Sequence, residues 1–364
     1  MESLAPGRSS AADPKRILVV RLGAIGDCLR VLPAVVRLRR DFPTAEIGWV
    51  VGDLAAPLLE GHPAITRLHV VDRRPMRAGV VPAWRELRRV GAELEAQRYD
   101  VAIDVHTRLK SGYLAWASRA PLRIGVDRRS GTEANFLFTN CHVNIQDHYE
   151  NRVTRFARVV AALGGALGGE PAALTSEEIR PWVQDSAAAW ARDFYEQAGR
   201  PQVALFPGTS ASRARDRWPL ERWRAAAGRL SEAGHTSMVL WGPGEMDVAG
   251  ALAADLPGCS LAPATTLPQM LALLGRFRLY LGSNTAALHM AWMQGVPSVV
   301  LVGGRPWRTD QPLPPVPSRM LSTAGAEPSR RLRGDAASRA IEGVEVDDVV
   351  EAAESLLRWS AAPD

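Results

Sequence analysis

The sequence predicts an α/β protein made of two Rossmann-like domains that face each other across a cleft. Strand-like and helix-like segments alternate in both halves of the chain, which is typical of parallel sheets. Each half also carries a strand–turn–helix segment of the kind that builds a ligand site at the carboxyl edge of such a sheet. The first, RILVVRLGAIGDCLRVLPAVVRLRR, begins at Arg16, and the second, LYLGSNTAALHMAWMQGVPSVVLVGG, begins at Leu279.

Nearly continuous apolar runs predict the strands, as expected when helices cover both faces of a sheet. In the first half, the predicted strands are residues 17–21, 46–51, 68–71 and 101–105, and the predicted helices are 29–41, 54–60 and 84–97. In the second half, the predicted strands are residues 203–206, 236–241, 279–281 and 298–302. The predicted helices there are residues 183–197, 220–233, 246–256, 267–274, 285–295 and 346–359.

The composition fits two domains of ordinary size. Of the 364 residues, 46% are apolar and 23% are charged, a balance typical of globular proteins. A stretch rich in Gly, Pro and Ala at residues 164–181 predicts the linker region. We therefore expect a disordered tail (1–14), an N-terminal domain (15–180), a C-terminal domain (181–345) and a C-terminal helix (346–364) that packs back on the N-terminal domain.

Charge and cysteine usage narrow the class of function. The net charge of +5 is carried almost entirely by arginine, since Lys15 and Lys110 are the only lysines. It favours anionic partners, such as phosphorylated sugars or an anionic membrane face. No basic block or RNA-binding motif points to nucleic acid. The three separated cysteines lack metal-ligand spacing and indicate a reducing cytosol. No apolar run reaches the roughly 20 residues that a membrane span needs.

The turn at residues 23–27 follows a strand and opens a helix. Its glycines allow a ligand or a neighbouring backbone to approach closely. Arg21 stands where the dinucleotide fingerprint needs its first glycine, and no Gly-Lys-Ser/Thr follows. The turn therefore disfavours an NAD-dependent oxidoreductase. It offers instead the carboxylate of Asp27 at the entrance to a cleft, unless Asp27 only caps its helix.

Three polar turns in the second half, at residues 207–210, 242–245 and 283–285, are predicted to share one edge of the sheet. Two of them lead into helices whose free N–H groups suit a diphosphate. Glu245 could accept hydrogen bonds from ribose hydroxyls. The alternatives are that the Ser-Asn pair of the third turn caps a helix and that the glutamate is an exposed charge.

Two further sets of residues have the right chemistry for an anionic ligand. Arg213, Arg215 and Arg217 precede a Trp-Pro pair at alternating positions, and guanidinium groups suit phosphate oxygens. The alternative is a solvated basic loop. His289 falls one turn inside its helix and faces either a site or the core.

These segments resemble a known family, the ADP-heptose:lipopolysaccharide heptosyltransferases of glycosyltransferase family 9, which have the GT-B fold. The resemblance covers about residues 15–304. It is carried, in order, by RILVVRLGAIGDCLRVLPAV, AIDVHTRLKSGYLAWASRAPLRIGVDRR, FPGTSASRARDRWPLERW, LWGPGE and SNTAALHMAWMQGVPSVVLVGG. A single segment would be weak, but the ordered set is specific.

The resemblance implies roles for numbered residues of this chain. It implies that Asp27 is the catalytic general base. The implied donor-binding residues are Thr209, Ser210, Arg215, Arg217, Glu245, Asn284, Thr285 and His289. The implied acceptor-binding residues are Gly26, Lys110, Ser111, Arg123 and Arg128.

Three positions depart from the family's pattern. The signature aspartate is Asn284, its glycine is Ala286, and the loop lysine is Asp216. An asparagine amide donates as well as accepts hydrogen bonds. These departures leave the donor open between ADP-heptose and another nucleotide sugar. With ADP-heptose as donor, Asn284→Asp is expected to keep activity within roughly tenfold.

The resemblance implies an inverting, metal-independent glycosyltransferase. It would move a heptose or related sugar from a nucleotide sugar, ADP-heptose in the family, to a lipopolysaccharide-core-type or other anionic glycan acceptor. No cofactor is implied. The implied partners are the nucleotide sugar, an anionic glycolipid or phosphorylated glycan, and the inner membrane, which a cytoplasmic enzyme would contact peripherally. The alternative is a catalytically degenerate member that binds nucleotide sugars or glycans, favoured by Asn284 and Asp216 and disfavoured by Asp27.

Overall fold

A computed structural model describes residues 13–164, 173–209, 217–303, 307–323 and 335–359. The chain divides into two compact units, Met1–Trp182 and Val183–Asp364. The sequence placed this boundary after residue 180. Most of the predicted N-terminal tail lies outside the described residues. None of the helices in the described ranges is long and apolar enough to cross a membrane.

The first unit is a parallel sheet with helices. Its strands are β1 (Arg16–Val20), β2 (Glu46–Gly52), β3 (Arg67–Val71), β4 (Val101–Asp104), β5 (Leu122–Val126) and β6 (Cys141–Val143). Its helices are α1 (Ile25–Asp41), α2 (Ala56–Leu59), α3 (Arg73–Ala78), α4 (Val80–Gln97), α5 (Leu109–Ala117), α6 (Arg152–Ala161) and α7 (Ser176–Ile179). Short 3₁₀ turns lie at Asn135–Leu137 and Ala162–Gly164.

The second unit repeats this plan. Its strands are β7 (Val203–Phe206), β8 (Ser237–Val239), β9 (Cys259–Leu261), β10 (Leu279–Ser283), β11 (Ser298–Leu301) and β12 (Ser318–Leu321). Its helices are α8 (Asp185–Gln197), α9 (Leu220–Glu232), α10 (Met246–Ala253), α11 (Leu267–Leu274), α12 (Ala286–Met293), α13 (Asp335–Glu342) and α14 (Val346–Trp359). A 3₁₀ turn lies at Trp307–Thr309.

Both sheets have the same strand order. It is β3-β2-β1-β4-β5-β6 in the first unit and β12-β11-β10-β7-β8-β9 in the second, with all pairs parallel. The order of connection reverses between β1 and β4 and between β7 and β10. Ligands of open parallel sheets bind at this reversal, outside the carboxyl ends of the strands. The two Rossmann-like domains of the sequence prediction are confirmed.

β1 is central in its sheet because it is apolar on both faces. Ile17, at its start, is fully buried and lies in register with Ile47 of β2 and Val101 of β4. The chain leaves this buried strand at Arg21 and enters α1, whose first turn contains Asp27. A carboxylate there is favoured by the helix dipole.

The C-terminal helix α14 packs in the second unit, and its predicted packing on the first domain stays a prediction. Its buried residues within 349–357 belong to the same apolar core as Leu205 and Leu281. Arg278 also donates a hydrogen bond to the carbonyl of Leu357 (2.9 Å). The helix contacts β10, β11 and β12, so its apolar stripe covers strands of its own unit.

Part of the predicted linker folds as a segment of the first unit. Residues 165–172 lie outside the described ranges, but the chain after them packs on α1. The buried carboxylate of Glu178 forms ion pairs with Arg37 (2.6 Å) and Arg40 (2.9 Å) of that helix. Thr175 caps α7 by accepting from the Glu178 backbone N–H. Glycine and proline content alone did not reveal these ion pairs.

Candidate active site

A cavity of about 700 Å³ opens in the first unit, at the edge where the loops after β1 and β4 lie side by side. Its cationic lining residues are Arg21, Arg108, Lys110, Arg152 and Arg155. Its acidic lining residues are Asp27 and Glu133. This excess of positive charge suits an anionic ligand.

Three guanidinium groups surround the carboxylate of Asp27. Arg21 donates to Oδ2, and Arg30, one turn further along α1, donates to Oδ1. Arg152 of α6 lies 3.3 Å from Oδ1. Coulombic attraction from three cations favours the charged carboxylate and fixes its orientation. The capping alternative is wrong, because the residue that precedes α1 as its N-cap is Ala24.

Arg21 connects three elements of the cavity wall. Its Nη1 donates to the Val105 carbonyl after β4 (2.9 Å), and its guanidinium carbon lies 5.0 Å from the ring centroid of Phe156 in α6. Burial lowers the pKa of Arg21, and the neighbouring Asp27 carboxylate opposes that shift. Arg21, whose place in the sequence rules out a dinucleotide-binding fingerprint, therefore holds the carboxylate of the candidate base Asp27.

A buried carboxylate organises the loop after β4. Asp104 accepts hydrogen bonds from the backbone N–H groups of His106 (2.9 Å) and Thr107 (3.2 Å). Its Oδ2 lies 2.9 Å from the Ser111 hydroxyl and accepts from the Asn135 amide (2.6 Å). Burial raises the pKa of Asp104, and these hydrogen bonds oppose the shift. The loop is thereby fixed between β4 and α5.

Lys110 is the predicted acceptor residue that the structure brings to the cavity beside Asp27. Burial lowers the pKa of Lys110, and the nearby Arg108 guanidinium lowers it further. An anionic ligand would relieve the repulsion between these two cations.

His106 is a cavity residue that the sequence reasoning missed. Both of its ring nitrogens are buried, and neither has a hydrogen-bond partner among the described residues. Burial lowers the pKa of His106 to about 3, with the Arg21 and Lys110 charges acting in the same direction. The neutral ring offers one donor and one acceptor. Its position two residues after the end of β4 was the available signal.

Gly26 and Ser111 do not line the cavity. Gly26 is buried in the first turn of α1, where its carbonyl accepts a hydrogen bond from Arg30 Nε (3.2 Å). Ser111 is fully buried against Asp104, and its hydroxyl accepts from the Arg108 backbone N–H (3.1 Å). Both support the loops that carry other site residues, and their role as acceptor contacts stays a prediction.

Arg123 and Arg128 also lie away from the cavity lining. The Arg123 guanidinium donates to the carbonyls of Phe138 (2.9 Å) and Ala120 (2.7 Å), so it fastens β5 to its neighbouring loops. Arg128 is exposed, with its guanidinium carbon 5.9 Å from the ring centroid of Phe136. The sequence showed that these residues are cationic but not what they would bind.

In the second unit, the three polar turns follow the adjacent strands β10, β7 and β8. The prediction that they share one sheet edge is confirmed. Ser210 and Arg215, with Arg213 and Asp216, lie outside the described residues.

The carboxylate of Glu245 joins two of these turns. It accepts a hydrogen bond from the Gly242 N–H (2.9 Å), and a Cβ placed on Gly208 would lie only 2.1 Å from Oε2. Burial raises the pKa of Glu245, while the Gly242 N–H and the Arg217 charge oppose the shift. The carboxylate is half-buried between the turns, so it is not the freely exposed charge of the alternative interpretation.

Arg217 is fastened to the first turn. Its Nε donates to the Thr209 hydroxyl (3.2 Å) and its Nη2 to the Thr209 carbonyl (3.2 Å). Thr209 itself is buried. The solvated-loop alternative therefore does not describe Arg217.

The third turn contains an unexpected pair. The Asn284 amide donates to the buried carboxylate of Asp310, 3.4 Å away, in a loop that the sequence analysis left without a role. Thr285 precedes α12 as its N-cap without a side-chain cap bond, and its buried hydroxyl interacts with the Tyr280 side chain. His289 is buried within α12. The capping interpretation of Ser283 and Asn284 is thus wrong.

Comparison with known proteins identifies relatives over most of the chain. The model of glycosyltransferase family 9 (heptosyltransferase) matches residues 87–331. Lipopolysaccharide heptosyltransferase 1 of Pseudomonas aeruginosa is 28% identical over 296 residues, covering 79% of this chain and 78% of that protein. The protein of the same name from Escherichia coli K12 is 24% identical over 295 residues, covering 79% and 88%.

Solved structures share the fold. A family 9 glycosyltransferase from Veillonella parvula superposes with a TM-score of 0.77 at 22% identity, covering 95% of this chain and 97% of that one. The E. coli heptosyltransferase WaaC with ADP gives a TM-score of 0.73 at 21% identity, covering 95% and 100%. At these identities the structural similarity supports the GT-B fold.

Proposed function

Since the chain belongs to glycosyltransferase family 9, we propose that it transfers a heptose from ADP-heptose to an anionic glycan acceptor of the lipopolysaccharide-core type. Relatives named lipopolysaccharide heptosyltransferase support the sugar and the acceptor, and a related structure was solved with ADP. Inversion at the anomeric carbon and independence from metal ions are parts of the proposal that rest on the family resemblance.

The observation that carries the proposal is the placement of Asp27 in a cationic cavity. Asp27 takes the proton of the acceptor hydroxyl while that oxygen bonds to the anomeric carbon and the nucleoside diphosphate departs. General base catalysis of this kind contributes typically about 10²–10⁴-fold. The surrounding cations keep the carboxylate charged and aimed, and they also bind the anionic groups of the acceptor.

The acceptor hydroxyl must share an Asp27 oxygen with an arginine. Arg152 is the arginine best placed to give up its contact with Asp27, because that contact is the longest of the three. The Arg152 side chain is also 38% exposed, whereas Arg21 and Arg30 are buried. An anion on the acceptor would attract Arg152 and free space at Oδ1. His106 offers a neutral donor and acceptor to the same ligand.

The donor binds the second unit in this proposal. The N-terminus of α12 and the buried Thr285 hydroxyl supply donors for the diphosphate, whose departing charge they stabilise. Glu245 accepts from ribose hydroxyls, and Arg217 adds a cation near the phosphates. Ser210, Arg215 and His289 remain proposed contacts from the resemblance.

The acceptor class also implies a location. A glycolipid acceptor places the enzyme in the cytoplasm in peripheral contact with the inner membrane. Nucleic acid is not a proposed partner.

The test is transfer itself. Full-length protein is incubated with ADP-heptose and an anionic lipopolysaccharide-core glycolipid, and the mass of the glycan is measured together with released ADP. The expected result is a mass increase of one heptose, which Asp27→Asn should produce about two orders of magnitude or more slowly. A thermal-shift panel of nucleotide sugars tests the donor separately, since ligand binding raises apparent stability. Stabilisation by another nucleotide sugar, with no transfer from ADP-heptose, would replace the proposed donor.

A further inference from the structure

The first unit displays an apolar tip at the start of α4, formed by Val80, Val81 and Trp84. These side chains are 86%, 60% and 48% exposed. Further along the same helix Leu87 and Val90 are buried, so the apolar tip extends the apolar stripe of α4 beyond its buried part. Contiguous exposed apolar residues of this kind mark an interaction surface.

Three exposed arginines surround the apolar tip. Arg77 lies in the last turn of α3, just before the apolar tip, and Arg85 and Arg88 follow the tip on α4. None of the three forms an ion pair with the described residues. In contrast, Arg89 on the same helix forms ion pairs with Glu86 and Glu93. Within the described residues, Arg77, Arg85 and Arg88 therefore place positive charge around the apolar tip that no carboxylate pairs with.

The apolar tip lies at the same sheet edge as the cavity. Helices that connect parallel strands begin at the carboxyl edge, and both α4 and α5 follow such strand ends. Trp84 contacts Tyr113 of α5, with ring centroids 4.8 Å apart. The first residue of α5, Leu109, is half-exposed and precedes the cavity residue Lys110. A surface that touches the apolar tip therefore also approaches the cavity mouth.

We propose that the apolar tip and its arginines dock the first unit on an anionic lipid bilayer. The two valines and Trp84 enter the interface between headgroups and acyl chains, where tryptophan is favoured. Arg77, Arg85 and Arg88 bind lipid phosphates, each strengthening binding by on the order of fivefold. This inference rests on the proposed membrane-bound acceptor and names the surface that brings the cavity to it.

The experiment is sedimentation of the full-length protein with vesicles that contain neither donor nor acceptor. One set is phosphatidylcholine alone, and the other also contains phosphatidylglycerol. We expect binding to the anionic set only, weakened by salt. Val80→Asp/Val81→Asp should lower the partition coefficient at least tenfold, and Arg85→Glu/Arg88→Glu at least about 25-fold.

Matched variants on the second unit control for charge and hydrophobicity. Arg192→Glu/Arg200→Glu changes the net charge by the same amount at exposed positions. A third tip variant, Trp84→Ser, should also weaken binding, and its control is Trp359→Ser, at a tryptophan that is 52% exposed. Both controls should bind as wild type does, and unfolding midpoints should be alike. Equal losses in controls and tip variants would overturn the proposal. So would failure of the wild type to bind either vesicle set. Since no substrate is present, these outcomes are independent of whether heptose is transferred.

Discussion

The two units share a strand order but build their candidate sites differently. In the first unit, the site is a set of charged side chains from distant segments, such as Asp27 and Arg152, which are 125 residues apart. In the second, it consists of three turns on neighbouring strands, held by contacts such as that of the Gly242 N–H with Glu245. The first site depends on paired charges, and the second depends on backbone geometry with few charges.

This difference predicts how each site responds to substitution. Removing one member of a buried charge cluster leaves its partners unpaired, which is strongly unfavourable. Changing one side chain of a turn alters a single contact. Four substitutions, taken from the largest expected effect to the smallest, test this contrast.

Asp27→Asn should have the largest effect. It keeps the size of the side chain but removes the proton-accepting charge, so transfer should fall by about two orders of magnitude or more. Donor affinity, measured by calorimetry with ADP, should change little. Asp41→Asn, at the exposed end of the same helix, is the control. Transfer near the wild-type rate in the Asp27 variant would remove Asp27 from the mechanism.

Asn284→Asp should be the next most damaging change, contrary to the tolerance that sequence reasoning favoured for ADP-heptose as donor. It would place a second carboxylate about where the amide now lies 3.4 Å from Asp310. We expect a loss of at least about tenfold in kcat/KM, or roughly 1.4 kcal/mol.

The swapped double variant Asn284→Asp/Asp310→Asn decides whether the pair is the cause. It restores one carboxylate and one amide, so it should recover most of the lost activity, with a coupling of about 0.5–3 kcal/mol. Additive losses in the double variant would show that Asn284 reads the donor directly.

Glu245→Gln should weaken nucleotide binding by about 1–3 kcal/mol, the cost of a lost charged acceptor. The free energy of unfolding of the Glu245→Gln variant should rise at neutral pH. Because burial raises the pKa of Glu245, the folded state binds the proton more readily than the unfolded state does. The ionised carboxylate therefore costs stability at neutral pH, and that cost is relieved as the pH falls through the raised pKa.

Nucleotide affinity in the wild type should accordingly decline over the same fall in pH, while the Gln variant should show no such decline. Calorimetry and thermal unfolding across the acidic range measure the two trends. Unchanged nucleotide affinity in the variant would make Glu245 a support for the turns alone.

Lys110→Ala should have the smallest effect, a several-fold rise in the KM for the acceptor that shrinks at high salt. Lys15, the other lysine of the chain, is exposed, and Lys15→Ala should leave the KM for the acceptor unchanged. Arg123→Ala should lower the unfolding midpoint without changing that KM, because its guanidinium binds only carbonyls of its own unit in the described contacts. A neutral acceptor used equally well by the wild type would contradict the anionic-acceptor proposal.

The sequence by itself determined the two sheets, the turns at their carboxyl edges and the position of Asp27. These features are local, because apolar runs specify buried parallel strands and polar residues follow where the strands end. The bounds of β7, α11 and α14 agree with the prediction residue for residue. Short strands such as β6 and β9 were missed, since three residues carry little periodic signal.

Only the tertiary structure decided which charges meet. Arginine is so frequent in this chain that composition could not distinguish Arg152, which binds Asp27, from Arg123, which binds backbone carbonyls. No residue near Asn284 in the sequence indicated that its partner would be Asp310. The sequence of α14 likewise did not specify which sheet the helix would cover. Partners of this kind are fixed by strand order and helix packing across many residues, because Coulombic and hydrogen-bond contacts depend on distance in space and not on spacing along the chain.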